Sequence, residues 1–153
     1  MGFSGVLISV KNINESRKFY EDLFGLKINF DFVQNVAFDC GLFLQEGFTD
    51  LMGVPEIEIK YKANNFELYF EEEDLDNFIE KLNQYKDVEY VHPLKEYPWG
   101  QRVIRIYDLD KHIIEIGESM VSVVKGFLKK GLSIDETAKR TQHPIDFIKK
   151  CME

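Results

Sequence analysis

Cysteine is scarce in this sequence, with only Cys40 and Cys151 among 153 residues. The two lie far apart and form no CxxC or Cys/His spacing, so we expect neither a disulfide framework nor a zinc site built on them. No apolar run approaches the roughly 18 residues that a membrane-spanning helix needs. The start of the chain lacks the basic and apolar pattern of a secretion signal. We therefore expect a reduced, cytoplasmic protein that does not enter a membrane.

The chain also lacks an excess of positive charge. Its formal net charge is −8, which repels phosphate backbones and makes general nucleic-acid binding an unlikely role. No glycine-rich phosphate loop is present, no Ser/His/Asp spacing indicates a nucleophile, and neither cysteine has an evident activating partner. The sequence therefore offers no motif for phosphate binding or nucleophilic catalysis.

Apolar and aromatic residues are plentiful. The composition is 44% hydrophobic, and thirteen Phe and seven Tyr stand against a single Trp. Aromatic residues favour strands and pocket linings, so the composition indicates a β-rich globular protein.

Two segments of the chain show the same order of predicted elements. In each, a strand of alternating apolar residues precedes an amphipathic helix and three short strands. In residues 1–46 the elements are predicted at 6–10, 15–24, 26–33, 35–40 and 42–45, with Asn14 as the helix N-cap. In residues 65–118 they are predicted at 66–71, 75–82, 88–91, 101–107 and 111–117. The repeat predicts an α+β fold, two βαβββ modules that together form a cupped mixed sheet.

Between the modules, residues 47–64 are rich in Gly, Pro and Asn. This composition is typical of a connector. Ile57 and Ile59 alternate with polar residues inside it, which predicts a short edge strand.

Residues 119–153 follow the second module and are predicted to form a helical C-terminal extension. Gly131 marks one helix end, Ser133 and Glu136 have capping-box spacing, and Pro144 could begin a third helix. The spacing resembles a helix-turn-helix, but acidic residues dilute its basic charge. We favour a helical cap over a nucleic-acid-binding unit.

Three stretches resemble the vicinal oxygen chelate superfamily, which comprises glyoxalases, bleomycin resistance proteins and extradiol dioxygenases. Residues 10–26, VKNINESRKFYEDLFGL, are similar to its opening pattern, and residues 108–116, DLDKHIIEI, to its closing turn and glutamate strand. Residues 98–102, PWGQR, are similar to a run that often precedes that turn. The resemblance covers roughly residues 4–118 and implies a homodimer that holds a small molecule in the cup.

Strand alternation sorts the residues that would face this cup. The side chains predicted to bind ligand are Phe43, Glu67, Tyr69, Trp99, Arg105, Tyr107 and Glu115. Trp99 would stack on a flat ligand or simply pack its own loop. Arg105 would contact ligand or pair with a carboxylate, and Arg102 would replace it if the register slips by one.

The resemblance also implies four inward metal slots, which fall on Gly5, Gln45, Glu67 and Glu115. Gly5 stands where a histidine is usual and supplies no ligand. Gln45, Glu67 and Glu115 could still bind a divalent ion such as Mg, Mn, Ni or Zn, and Glu115 would be the catalytic group of an enzyme. The alternative, which we favour, is that no cofactor binds. His92, His112 and His143 are not expected to be catalytic.

Three functions remain open from the sequence. The first is a binding or resistance-type protein for a small, flat molecule, which could be cationic. The second is a divalent-metal-dependent lyase or isomerase of the glyoxalase type. The third is a ligand-responsive regulator that uses the C-terminal helices. The vacant slot at Gly5 favours the first.

Overall fold

The computed structural model describes all 153 residues, which divide into two compact units. The first unit comprises Met1–Phe66 and Tyr107–His112, and the second comprises Glu67–Ile106 and Ile113–Glu153. Each unit contains a four-stranded sheet, which confirms the predicted α+β fold of two βαβββ modules followed by helices. No helix is both long enough and apolar enough to cross a bilayer.

The first sheet has the order β1-β4-β3-β2, and β1 runs parallel to β4. Its elements are β1 (Val6–Val10), α1 (Ile13–Phe24), β2 (Ile28–Asp31), β3 (Asn35–Phe38), β4 (Leu42–Glu46) and α2 (Phe48–Met52). Ile8 and Val10 are buried, as the alternation predicts, and so are Leu42 and Leu44. The apolar face of this sheet therefore builds the core of the first unit.

Helix α1 begins at Ile13, two residues before its predicted start. Asn12, not Asn14, has the extended backbone of an N-cap, and its side-chain oxygen accepts from the amides of Asn14 and Glu15 at 3.0 and 3.1 Å. The earlier start follows because Ile13 is buried and joins the apolar stripe of the helix. The predicted end at Gly25 is confirmed, with left-handed φ of 67°.

The connector contains no edge strand. Ile57 lies in a 3₁₀ turn (Glu56–Glu58), in which the Glu58 amide donates to the carbonyl of Pro55 at 3.0 Å. Pro55 supplies the fixed φ that starts such a turn, and this local preference overrides the alternation of Ile57 and Ile59.

The second sheet repeats the topology of the first, in the order β5-β8-β7-β6 with β5 parallel to β8. Its elements are β5 (Glu67–Glu72), α3 (Leu75–Leu82), β6 (Tyr90–Glu96), β7 (Arg102–Tyr107) and β8 (Ile113–Glu118). β6 extends beyond its predicted end at residue 91, through His92 and Pro93. It tolerates the proline because it is an edge strand whose pairing shifts on both sides of His92.

Three helices follow the second sheet, α4 (Met120–Lys129), α5 (Ile134–Thr141) and α6 (Ile145–Lys150). Val124, Ile148 and Cys151 form a buried cluster at their centre, with Leu128, Ile134, Ala138 and Phe147 packed around it. Ser133 and Glu136 make the predicted capping box. The C-terminal helices therefore pack on one another through an apolar cluster of their own.

Candidate functional site

One face of the second sheet is apolar and the other is polar. On β5, Leu68 is half-buried whereas Glu67 and Tyr69 are exposed. On β8, Ile114 and Ile116 are buried in the core. The parallel register pairs Tyr69 with Glu115, so the polar side chains of the two strands come together. We call the side that carries Glu67, Tyr69, Arg105 and Glu115 the open face.

Arg105 on β7 is the centre of this face. Its Nε donates to Glu67 Oε2 at 2.8 Å, and its Nη2 donates to Glu67 Oε1 at 3.3 Å and also to Glu115 Oε2. Its Nη1 donates to Tyr97 Oη at 2.6 Å and to His92 Nε2 at 3.0 Å. A guanidinium carries five N–H groups, so every donor of Arg105 has a partner within the protein.

The ring of His92 has a defined tautomer. Because a guanidinium only donates, His92 Nε2 must accept from Arg105, which places the ring proton on Nδ1. Nδ1 lies 2.7 Å from the carbonyl oxygen of Pro93 and donates to it. His92 therefore accepts a hydrogen bond that helps to orient Arg105, a role that the sequence does not reveal.

The ion pairs around Arg105 are partly shielded from water. The side chain of Glu115 is 11% exposed, that of Arg105 is 21% exposed and that of Glu67 is 37% exposed. Desolvation disfavours the charged guanidinium, but hydrogen bonds to Glu67 and Tyr97 outweigh it, and the pKa of Arg105 is raised. Arg105 thus stays positively charged between its two carboxylates.

Trp99 lies beside this cluster. Its ring stacks on Tyr97 at 4.6 Å between centroids and 20° between planes, and its Nε1 donates to Gln101 Oε1 at 3.0 Å. Gln101 is buried, and its amide nitrogen donates to Tyr69 Oη and to the carbonyl oxygen of Glu118, both at 3.0 Å. Gln101 therefore ties the Trp99 loop to the polar side of the sheet.

Gln101 and Tyr97 were not predicted as site residues, and the sequence marks Gln101 more clearly than Tyr97. Gln101 is the first residue of the strand predicted at 101–107 and precedes Val103 and Arg105 by steps of two, so the alternation of that strand would have found it. Tyr97 lies in the turn before β7, where no periodicity applies, and only its proximity to Trp99 in sequence points to it.

Arg102 does not belong to this cluster. It donates to Glu118 at 3.0 and 3.2 Å and to Asp76 at the start of α3 at 2.8 and 3.2 Å. The hydrogen bonds that Arg102 donates to Glu118 and then to Asp76 raise the pKa of Arg102. The register therefore places Arg105, not Arg102, between Glu67 and Glu115.

The other predicted site residues lie in the first unit. Tyr107 donates its hydroxyl to Asn64 Oδ1 at 2.9 Å. Phe43 is half-buried on β4, opposite Leu7. Gln45 accepts from Asn35 Nδ2 at 2.9 Å and donates to the backbone carbonyl of Glu46 at 2.7 Å.

His112 also lies in the first unit, in the turn that begins at Asp108. Its Nδ1 lies 2.8 Å from Asp108 Oδ2, which accepts from the hydroxyl of Tyr20 at the same distance. Burial first, and then the charge of Asp108, raise the pKa of Tyr20. Since Tyr20 is fully buried, this arrangement ties α1 to the closing turn.

The four metal slots are poorly suited to a divalent ion. Gly5 has left-handed φ of 146°, and a Cβ there would overlap the carbonyl oxygen of Gly41, so this position tolerates no ligating side chain. The Gln45 side-chain oxygen is engaged by Asn35, and both Glu67 and Glu115 are engaged by Arg105. No group of three or more His, Cys, Asp or Glu side chains is arranged to hold a metal ion. The donor set therefore does not fit the metal centre that the slots imply.

Two clefts lie elsewhere. One of about 500 Å³ in the first unit is lined by Lys11, Glu46 and Tyr61, among others. One of about 330 Å³ in the second unit includes Arg102 and Phe127. Neither includes a residue of the Arg105 cluster, which lies on an open sheet surface within its own unit.

Comparison with known proteins agrees with this architecture. The Glyoxalase-like domain family matches residues 3–121. A crystal structure of a protein of unknown function from Agrobacterium tumefaciens str. C58 is 39% identical, with a TM-score of 0.67 over 78% of this chain and 94% of that one. No curated protein matches the chain.

Two more distant structures share the fold. The fosfomycin resistance protein FosX from Listeria monocytogenes is 21% identical, with a TM-score of 0.59 over 78% of this chain and 93% of that one. A lactoylglutathione lyase from Agrobacterium tumefaciens is 20% identical, with a TM-score of 0.56 over 78% of this chain and 95% of that one. The chain belongs to the Glyoxalase-like domain family.

Proposed function

We propose that this protein binds a small molecule on the open face of its second sheet and needs no metal ion to do so, as a binding or resistance-type member of its superfamily. The observation that carries the proposal is the position of Arg105, whose guanidinium forms ion pairs with both Glu67 and Glu115. The guanidinium of Arg105 therefore uses the carboxylate oxygens that would otherwise coordinate a metal ion.

The same contacts weaken the case for a metal-dependent lyase or isomerase. A catalytic Glu115 would have to accept a proton from substrate or hold a metal. Its carboxylate is ion-paired to Arg105, so Glu115 would have to give up this pair before it could do either. The two neighbours of known name have different activities, so the shared fold does not decide between them.

A tryptophan fluorescence screen tests the proposal, because Trp99 is the only tryptophan of the chain and lies in the proposed site. A collection of small aromatic fragments is titrated in buffer containing EDTA. We expect saturable changes in emission that are lost in Tyr97→Leu, which removes the stacking partner, and retained in Gln45→Ala, in the first unit. Binding that appears only after Mn²⁺ or Ni²⁺ is added would contradict metal independence.

We further propose that the chain forms a homodimer through the β2–β3 hairpin of the first unit. Phe30 and Phe32 stack at 5.9 Å between centroids, yet they are 54% and 65% exposed, and Val33 beside them is 79% exposed. Contiguous exposed apolar side chains of this kind are typical of protein interfaces. Light scattering should give a dimer mass for the native chain and a monomer mass for Phe32→Asp, and a native monomer would contradict the proposal.

A further inference from the structure

The only arginine on the open face has no hydrogen-bond donor to offer a ligand. Its five N–H groups are all taken by Glu67, Glu115, Tyr97 and His92. A carboxylate, phosphate or phosphonate on this face would therefore have to displace an existing partner of Arg105. That exchange gains no net ion pair and leaves a carboxylate of the chain unpaired.

Acceptors, by contrast, are in surplus. Glu67 and Glu115 bring two negative charges to the one positive charge of Arg105. Glu71, two residues beyond Tyr69 on β5, adds a further exposed carboxylate that accepts from the Tyr69 hydroxyl at 2.8 Å. The face is therefore electronegative and rich in lone pairs, which favours a ligand that carries positive charge and donates hydrogen bonds.

One aromatic ring beside these carboxylates, that of Tyr97, already holds cations of the chain itself. The ammonium of Lys95 lies 5.0 Å from the centroid of the Tyr97 ring, and the guanidinium carbon of Arg105 lies 5.7 Å from it. Trp99 stacks on the same ring. Lys95 is exposed and makes no ion pair, so its ammonium can leave at little cost.

Resting on the function proposed above, we infer that the ligand is a small planar organic cation with N–H donors, such as an aryl amidinium or guanidinium. It stacks at the Tyr97–Trp99 pair, donates to the remaining lone pairs of the Glu67 carboxylate, and replaces the ammonium of Lys95. The open face discriminates against anions of the same shape because every N–H donor of Arg105 already has a partner within the protein.

Three probes of nearly the same shape test this inference. Benzamidine is a cation with N–H donors, benzamide is its neutral counterpart, and benzoate is its anionic counterpart. Each is titrated into the full-length protein in buffer with EDTA, and Trp99 emission is recorded. We expect benzamidine to bind roughly tenfold more tightly than benzamide, the effect of one added charge-assisted hydrogen bond. Benzoate should show no saturable binding.

Variants assign the preference to this face. Glu67→Gln should weaken benzamidine binding about tenfold and narrow the gap to benzamide, since the excess charge is removed. Glu73→Gln, which removes an exposed charge beyond the end of β5, should leave the affinity unchanged. Lys95→Gln should strengthen benzamidine binding, because the competing ammonium is gone. Circular dichroism confirms that each variant is folded.

The outcomes separate this inference from the function on which it rests. Benzoate or benzamide binding at least as tightly as benzamidine, with loss in Tyr97→Leu, would overturn the cation preference and leave metal-independent binding intact. Equal effects of Glu67→Gln and Glu73→Gln would show that only overall charge matters and would also overturn it. No response from any of the three probes or from the fragment collection would overturn both.

Discussion

Replacing Arg105 with methionine tests the structural role of its ion pairs. The variant keeps an apolar stem but leaves Glu115, whose side chain is only 11% exposed, with an unpaired charge. Breaking a buried pair on one side typically costs 3–5 kcal/mol. Because Glu67 is 37% exposed, water can replace its lost partner. We therefore expect a loss of unfolding free energy at the lower end of this range, about 3 kcal/mol.

Urea denaturation followed by circular dichroism measures this loss, and an unchanged m-value shows that the unfolding reaction is the same. Adding Glu115→Gln to the Arg105→Met variant removes the unpaired charge and should restore about 2 kcal/mol.

Arg102→Met is the matched control, because Arg102 lies on the same strand and also holds two carboxylates. The side chain of its partner Asp76 is 72% exposed, whereas that of Glu118 is 19% exposed. Only Glu118 would therefore be left as a shielded, unpaired charge. We expect a loss of about 1 kcal/mol. Equal losses in the two arginine variants, or no rescue of Arg105→Met by Glu115→Gln, would refute the view that a shielded Glu115 depends on Arg105.

Three other predictions concern positions outside this cluster. Gly5→His should lower the unfolding free energy measured in urea by at least about 2 kcal/mol and should create no nickel site. The reason is that the φ of residue 5 and the carbonyl oxygen of Gly41 exclude a side chain there. A stable variant that binds nickel would disprove this prediction. Burial raises the pKa of the Cys151 thiol, whereas Cys40 is exposed. At pH 8 a disulfide reagent should therefore modify Cys40 much faster than Cys151. Equal rates at the two cysteines would count against the packing of the C-terminal helices. Ile148→Ala should cost about 3 kcal/mol by emptying the centre of those helices, and a loss below about 1 kcal/mol would mean that they pack differently.

Alternation in the sequence was sufficient to place the side chains of regular strands. Glu67, Tyr69, Arg105 and Glu115 follow a period of two, and the structure brings these four together on the second sheet. The same pattern could not show that all N–H donors of Arg105 have partners. Those hydrogen bonds depend on the rotamers of residues from several strands and a loop.

Positions governed by local backbone geometry were harder to predict. The sequence shows that Gly5 is not a histidine, but only the structure shows that its backbone and the neighbouring carbonyl exclude any side chain. Tyr97 and Trp99 lie in a turn without periodicity, and the stacking between them depends on how that turn packs. Asn12 was missed as a cap because burial of Ile13, a tertiary effect, sets the start of α1.

Metal content tests the central claim of metal-independent binding most directly. The chain is purified without chelator, equilibrated with Mn²⁺, Ni²⁺ and Zn²⁺ in turn, desalted, and analysed by plasma mass spectrometry beside Glu115→Ala and the exposed control Glu73→Gln. We predict that all three proteins retain well under one metal ion per chain, with no difference between them. One equivalent of metal in the native protein, lost in Glu115→Ala and kept in Glu73→Gln, would contradict the account and favour a metal-dependent enzyme.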